Sequence, residues 1–121
     1  MAVNYGPRRL TTGAHYGLRD WIAQRVTAVI VALFVLLLVV CTICTSGPLT
    51  HETWVGIFKP QWMKFISFAA IIAIAWHAWV GIRDLWMDYI KSAGLRLTLH
   101  VLTLVWLVGT AGWAIQVLWK V

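Results

Sequence analysis

Residues 73–91 read AIAWHAWVGIRDLWMDYIK and contain the two features around which the rest of the chain is organised. The stretch begins as an apolar helix with a single histidine, His77, embedded in it. It then runs out through Trp86 into Asp88 and Tyr89. Ionisable side chains deep in apolar helices are rare and usually have a functional reason. The surrounding sequence must therefore explain both a histidine in an apolar segment and an Asp-Tyr pair at its end.

The composition predicts a membrane protein. The chain has 121 residues, of which 61% are hydrophobic and 12% charged, and its mean hydropathy is +0.80. A soluble domain of this length has too much surface for its volume to bury so many apolar side chains. Three runs of about 20 apolar residues, the length that spans a bilayer, leave little of the chain over. We therefore expect an all-α integral membrane protein with three transmembrane helices, forming one membrane domain over residues 1–121.

The predicted spans are bounded by turn residues and by tryptophans. The amino-terminal segment and the three spans are predicted at residues 1–21, 22–45, 63–86 and 96–119. Residues 46–48, Ser-Gly-Pro, end the first span because glycine and proline break a helix. Residues 49–61 are predicted as a short loop, flanked by Trp54 and Trp62 at the headgroup level, where indoles are enriched. Residues 87–95 link the second span to the third.

The polar amino-terminal segment does not match an export or transit peptide. The apolar run after it is longer than the roughly 7–15 residues of a signal-peptide core, and no small-residue cleavage site follows it. The twin arginines Arg8 and Arg9 lie too far from that run to act as an export signal. No amphipathic, serine-rich transit pattern is evident. We therefore expect a bacterial chain that crosses the inner membrane several times.

The lysines and arginines predict the orientation. The amino-terminal segment and the second loop share one side of the membrane and carry seven of them: Arg8, Arg9, Arg19, Arg25, Arg83, Lys91 and Arg96. The first loop and the carboxyl terminus carry three: Lys59, Lys64 and Lys120. Because cytoplasmic loops are richer in Lys and Arg, we expect a cytoplasmic amino terminus and a periplasmic carboxyl terminus. The net charge of +6 then reflects membrane orientation, and nucleic acid is not an expected partner.

His77 is a candidate iron ligand. It lies nine residues before Trp86, or about 13 Å inside the end of its helix. A neutral imidazole binds iron well, and its second nitrogen can be held by a carbonyl or water. Ala70, Ala73 and Gly81 share its helix face and predict a gap in which a flat macrocycle lies edge-on. The alternative is a histidine that only bonds a neighbouring helix, and the spacing does not decide between the two.

The apolar spans contain three other side chains that could bind a metal ion, namely His100, Cys41 and Cys44. His100 lies about one turn inside the third span, and its shallower depth favours an interfacial or packing role over ligation of the same iron as His77. Cys41 and Cys44 are spaced C-x-x-C, but no second Cys or His pair completes a zinc site. We interpret the two cysteines as small packing residues.

Arg25 opens the first span. The commonest role of an arginine at this position is to anchor the helix in the headgroups. If haem is present, its propionates need cationic partners, and a guanidinium suits a carboxylate through paired hydrogen bonds.

Asp88 and Tyr89 lie where the second span leaves the membrane. Asp88 follows His77 by eleven residues and returns near the same face if the helix persists. A phenol at the membrane surface can hydrogen-bond a quinone carbonyl, and a nearby carboxylate can orient it. The alternative makes Tyr89 an interfacial aromatic residue and Asp88 an ion-pair partner of Lys91 or Arg83. Without other information this alternative is favoured.

The stretch HAWVGIRDLWMDYIKSAGLRL, residues 77–97, resembles the hydrophobic membrane anchor subunit of bacterial succinate dehydrogenase (complex II). More narrowly, it is similar to the smaller, D-type anchor that is associated with cytochrome b556. That family has H-A-W-x-G, then D-Y about a dozen residues after the histidine, then L-R-L opening the third helix. Its R-x-T-A, T-S-G and W-x-G-x-F motifs are matched by residues 25–28, 45–47 and 54–58. The resemblance covers nearly all of the chain after Gly17.

The resemblance implies a set of ligand-binding residues. His77 would be an axial ligand of the iron of haem b, and a second hydrophobic anchor subunit would supply the other axial histidine. Arg25 would contact a haem propionate. Arg19, which stands where family members carry a histidine, could take over a propionate contact. Tyr89 would hydrogen-bond ubiquinone, with Asp88 beside it, in a pocket completed by the partner anchor and the iron–sulfur subunit.

The implied protein is a non-catalytic anchor within succinate:ubiquinone oxidoreductase, a complex of electron transport and the tricarboxylic acid cycle. It would hold the flavoprotein subunit, with its FAD, and the iron–sulfur subunit, with its clusters, to the lipid bilayer. One alternative is the anchor of a fumarate reductase or of another quinone-linked cytochrome b complex. A further alternative is a haem-free structural or assembly protein in which His77 only packs.

Overall fold

The computed structural model describes residue 3 and residues 12–121, and within the first helix it describes side chains from residue 17 onward. This part of the chain contains four α-helices and no β-strand: α1 (Thr12–Cys44), α2 (His51–Phe58), α3 (Gln61–Tyr89) and α4 (Ala93–Lys120). Residues 17–44 of α1, together with α3 and α4, are long and apolar enough to span a membrane. The predicted all-α fold with three spanning helices is therefore confirmed. Arg8, Arg9 and most of the predicted amino-terminal segment lie outside the described residues.

The central helix of the bundle is α3, which packs against α1 on one side and α4 on the other. We call the two ends of the bundle the Tyr89 end, where α3 stops and α4 starts, and the Lys64 end, where α3 begins. Near the Tyr89 end, Trp86 Nε1 donates to Thr103 Oγ1 of α4 at 3.0 Å. At the Lys64 end, the Lys64 ammonium donates to the carbonyl oxygen of Val121 at 3.2 Å. These two bonds tie α3 to α4 near both ends.

Except at the carboxyl end of α1, the long helices extend beyond the predicted spans, by ten residues at the start of α1 and by three at the end of α3 and at the start of α4. Hydropathy locates only the part of a helix that lies in lipid, about 30 Å thick. The 29 residues of α3 extend about 44 Å. Consequently the link to α4 shrinks to residues 90–92, and α3 continues through Asp88. The predicted stop after α1 is confirmed, because Gly47 has a φ of 97°, a backbone conformation that favours glycine.

The prediction of a loop over residues 49–61 is wrong, because this segment contains α2. The backbone of Thr50 is extended, and its Oγ1 accepts a hydrogen bond from the amide of Thr53 at 3.3 Å. This is the arrangement of a helix N-cap. One turn further on, Trp54 packs edge-on against Phe58, with ring centroids 5.2 Å apart. The N-cap and the aromatic pair thus stabilise α2. A hydropathy profile detects neither of them, so it cannot distinguish this short helix from a loop.

Few side chains are buried within the chain. The buried residues of α3 and α4 are Met63, Ser67, Ala70, Ala73, Val80, Thr103, Leu107 and Leu118. Large apolar side chains on all three long helices are exposed instead, among them Leu33, Trp76 and Val105. Soluble monomers rarely expose contiguous apolar patches larger than a few hundred Å². The outer faces of the bundle therefore suit lipid and partner helices rather than water.

The small residues beside His77 do not leave the predicted gap. Ala70 and Ala73 are only 1% and 4% exposed, because neighbouring helices of the same chain cover them. The prediction that this face is open to a flat macrocycle is therefore wrong at these two positions, where small residues allow close helix packing. Gly81 faces Gln24, whose Nε2 would lie 3.5 Å from an added Cβ. An added methyl group at Gly81 would therefore make only an ordinary van der Waals contact.

Replacing Ala73 with leucine is expected to destabilise the bundle by about 1–2 kcal/mol, because Ala73 is only 4% exposed and the added methylenes must displace a closely packed neighbour. The measurement is thermal unfolding of the protein purified in detergent. The matched control is Ala69→Leu, since Ala69 lies four residues earlier on the same helix and is exposed. An equal loss of stability in both variants would contradict the assignment of Ala73 to the packed face.

Candidate functional site

Polar side chains of α1 and α3 face each other along one antiparallel contact, which we call the polar seam. It contains two polar pairs, Asp20 with Arg83 and Thr27 with His77, and between them Gln24, which lies against Gly81. The α1 positions advance by four and then three residues, so they lie on one helix face. The polar seam starts at the Tyr89 end and leads to His77. His77 is conspicuous in the sequence alone, whereas Thr27 and Asp20 become candidates only when the packing of α1 against α3 is known.

His77 combines an internal hydrogen bond with exposure at the surface of the chain. It lies sixteen residues after the start of α3 and twelve before its end, so it is deep in the spanning segment. Its Nδ1 is 3.0 Å from Thr27 Oγ1. Unlike Ala70 and Ala73, His77 is exposed. Because Nδ1 has a partner inside the chain, Nε2 is the nitrogen that can bind a group from outside. A neutral imidazole of this kind has a lone pair that can bind a metal ion.

His100 is separated from His77 by α3 itself. Its ring packs edge-on against Trp79, with centroids 5.8 Å apart and an interplanar angle of 71°. Trp79 follows His77 by two residues, which is about 200° around a helix. In the described part of the chain, His100 Nε2 is buried without a hydrogen-bond partner. The two histidines therefore do not face a common point within this chain, and the contact with Trp79 supports the packing role expected for His100.

Arg83 is paired across the bundle. Its Nη2 donates to Asp20 Oδ2, and the two side chains are 27% and 32% exposed. The proposed pairing of Arg83 with Asp88 is therefore not seen. The pair lies beside a cavity of about 320 Å³ that is lined by Arg19, Asp20, Arg83, Asp84 and Met87. The Tyr89 end thus carries an inter-helix ion pair next to an open, charged cavity.

Arg25 and Arg19 are both exposed on α1 near the Tyr89 end. The guanidinium carbon of Arg25 lies 5.0 Å from the centroid of the Trp21 ring, within the range of a cation–π interaction. Arg25 precedes Thr27 by two residues and therefore projects about 200° away around α1. The structure does not bring Arg25 against His77 within the chain. It places Arg19 at the charged cavity beside the ion pair of Arg83.

Asp88 and Tyr89 form the last two positions of α3. Tyr89 is 76% exposed, and Asp88 is exposed as well. In the described part of the chain, neither side chain makes a hydrogen bond or an ion pair. Because α3 persists to Tyr89, Asp88 lies about 16 Å along the axis from His77 and within about 20° of its direction. Asp88 and His77 therefore lie near the same face of α3, as predicted for a helix that persists to this point.

Cys41 and Cys44 lie at the far end of α1 from this group. Both thiols are free; Cys41 is half-buried and Cys44 exposed. In the described residues, no three His, Cys, Asp or Glu side chains converge on a point that could hold a metal ion. The side chains that remain relevant to a ligand are therefore those of the polar seam and the Tyr89 end.

Comparison with known proteins agrees with the predicted resemblance. A family model described as "Succinate dehydrogenase/Fumarate reductase transmembrane subunit" matches residues 4–111. A relative from Coxiella burnetii (strain RSA 493 / Nine Mile phase I), named "Succinate dehydrogenase hydrophobic membrane anchor subunit", is 35% identical over 103 residues. The match covers 85% of this chain and 89% of the relative. The chain belongs to the succinate dehydrogenase/fumarate reductase transmembrane subunit family and is a multi-pass membrane anchor.

Proposed function

We propose that the chain is the D-type anchor of a bacterial succinate:ubiquinone oxidoreductase, and that it shares one haem b with a second anchor subunit. The observation that carries this proposal is His77, an exposed histidine deep in a spanning helix with one ring nitrogen held inside the chain. A ligand to a group shared between two chains must lie at the surface of each. His77 meets that condition, because it is exposed on the surface of the chain.

The haem would be held from this chain by His77 Nε2, and when bound it would supply one-electron redox chemistry within the membrane. Arg25 is assigned to a propionate, with Arg19 as a second, weaker contact. Both arginines are exposed, and guanidinium groups bind carboxylates through paired hydrogen bonds. Arg25 is about 3 Å along α1 from the level of Thr27, on the Tyr89 side. At that level Arg25 matches His77 in depth, but it projects to the other side of α1 from Thr27, so its assignment to a propionate rests on the resemblance to the family.

The Tyr89 end is proposed to face the cytoplasm. Seven lysines and arginines lie in the segments on that side and three in those on the other, which favours this orientation. The amino terminus is then cytoplasmic, the carboxyl terminus periplasmic, and the membrane is the bacterial inner membrane. The iron–sulfur and flavoprotein subunits would bind at this end. Electrons from succinate would arrive through their FAD and clusters, so the anchor is not an enzyme alone.

Ubiquinone is proposed to bind at the Tyr89 end. The Tyr89 phenol would donate a hydrogen bond to a quinone carbonyl, and Asp88 would orient the phenol and exchange protons with the cytoplasm. Support comes from the exposure of both side chains and from the absence of competing partners in the described residues. The partner anchor and the iron–sulfur subunit would complete the pocket.

Tyr89→Phe is expected to lower succinate-dependent quinone reduction about tenfold, because a donated hydrogen bond to the quinone carbonyl is lost. Succinate oxidation by an artificial acceptor, which bypasses the quinone, is expected to stay at the wild-type rate. Both rates are measured on the purified complex, with its subunit content checked first. Equal rates in both assays for variant and wild type would leave Tyr89 as an interfacial aromatic residue and remove it from the quinone site.

A further inference from the structure

Thr27 is the most thoroughly hydrogen-bonded side chain of the polar seam. It is 9% exposed. Its Oγ1 lies 2.6 Å from the carbonyl oxygen of Ala23, 3.2 Å from that of Gln24 and 3.0 Å from His77 Nδ1. A hydroxyl has one hydrogen to donate and two lone pairs that accept. The distribution of that single hydrogen determines which nitrogen of His77 is protonated.

The shortest contact assigns the hydrogen. A carbonyl oxygen cannot donate, so the 2.6 Å approach of Thr27 Oγ1 to the Ala23 oxygen requires the threonine to be the donor. Without that hydrogen, two acceptor oxygens would face each other at a distance typical of a short O–H···O bond. Thr27 then has only lone pairs to offer His77. The contact at 3.0 Å is a hydrogen bond only if Nδ1 carries the proton.

A second threonine on the other side of α3 shows the same arrangement with an unambiguous partner. Thr103 Oγ1 donates to the carbonyl oxygen of Leu99 at 2.7 Å and accepts from Trp86 Nε1 at 3.0 Å. An indole N–H is a donor only, so this threonine must be the acceptor between the helices. In each pair, a threonine bonded to the carbonyl four residues earlier receives an N–H from α3. The distances at Thr27 match this pattern within 0.1 Å.

We infer that Thr27 is a positioning residue that holds His77 in the Nδ1–H tautomer, so that Nε2 carries the lone pair needed to bind haem iron. This inference rests on the proposed function of His77 as the axial ligand. In metal sites, the partner of the second ring nitrogen fixes the tautomer and the orientation of the ring and raises the basicity of the ligand. Here that partner comes from α1, so the same hydrogen bond also couples the packing of α1 and α3 to the ligand.

The test compares five variants of the intact complex: Thr27→Val, Thr27→Ala, Thr27→Ser, Thr110→Val and His77→Ala. Haem loss is followed as transfer to apomyoglobin, and the electron paramagnetic resonance g-values of the ferric haem report the axial ligand. Loss of such a partner weakens metal binding about tenfold to hundredfold. We therefore expect Thr27→Val and Thr27→Ala to lose haem at least about tenfold faster, with shifted g-values. Thr27→Ser retains the hydroxyl and is expected to behave as wild type.

Thr110→Val is the matched control, because Thr110 also donates to the carbonyl four residues earlier, at 2.7 Å, and is exposed. It is expected to keep wild-type haem retention. If the Thr27→Val complex fails to assemble, haem loss and g-values are measured on Thr27→Ala instead. If His77→Ala lacks haem while both hydroxyl-free variants keep wild-type g-values and haem retention, the inference is overturned and the proposed function stands. If His77→Ala keeps its haem, the proposed function falls, and the role of Thr27 falls with it.

Discussion

The His77→Ala complex is expected to contain less than about a tenth of the wild-type haem. Loss of a hydrogen-bond partner of a metal ligand already costs about tenfold to hundredfold in affinity, and His77→Ala removes the ligand itself. The measurement is the reduced-minus-oxidised absorption spectrum of the purified complex, normalised to its subunit content. Succinate oxidation by an artificial acceptor, which depends on the flavoprotein and iron–sulfur subunits, shows whether those subunits are still attached.

The matched control is His100→Ala, which removes the other histidine within a span. His100 packs on Trp79, on the side of α3 away from Thr27, so its loss is expected to leave the b-type spectrum unchanged. A spectrum that survives His77→Ala would remove His77 as the ligand. A spectrum lost only in His100→Ala would move the ligand to the face between α3 and α4.

The fold was largely predictable because lipid imposes a simple rule on composition. Each spanning helix must be apolar over about 20 residues, so hydropathy identifies α1, α3 and α4 directly. Helix ends obey a different rule, since caps and turns determine them. The N-cap at Thr50 and its bond to Thr53 create α2 in a segment that looks like a loop by hydropathy. For the same reason, hydropathy did not predict that α3 continues past Trp86 to Tyr89.

The site was predictable only where one residue was conspicuous by itself. A histidine inside an apolar run stands out from its depth alone, and an exposed Asp-Tyr pair stands out at a helix end. Thr27 does not stand out, because a threonine in an apolar helix commonly bonds its own backbone. Its role appears only when the register of α1 against α3 places it opposite His77. Hydropathy does not predict that register, because it reports only which segments lie in lipid.

The ion-pair partner of Arg83 also could not be predicted from the sequence. The sequence offered Asp88 as its partner, five residues away along the helix. The structure instead pairs Arg83 with Asp20, which is 63 residues away. In the sequence, this pair appears only as two opposite charges at the ends of two antiparallel helices. Such charges predict an ion pair only when the two helices are known to be in contact.

Replacing either member of the Asp20–Arg83 pair is expected to destabilise the bundle by about 2–3 kcal/mol. Fully exposed pairs are worth at most about 1 kcal/mol, whereas removing one partner of a buried pair costs about 3–5 kcal/mol. Exposures of 32% for Asp20 and 27% for Arg83 place this pair between those limits. The variants are Asp20→Asn and Arg83→Gln. The measurement is thermal unfolding of the detergent-purified complex at low and high salt.

Two further variants separate the effect of losing the ion pair from the effect of changing the net charge. Asp84→Asn makes the same charge change at an exposed position of the same cavity and is expected to cost less than about 0.5 kcal/mol. The combination of Asp20→Asn with Arg83→Gln is expected to cost less than the two single losses added together, because the second substitution removes a charge that the first left unpaired. Additive losses, or an equal loss in Asp84→Asn, would show that α1 and α3 are not held by this contact. Since the pair lies on the same seam as Thr27 and His77, a confirmed coupling would also identify what holds α1 in the register that the Thr27–His77 hydrogen bond requires.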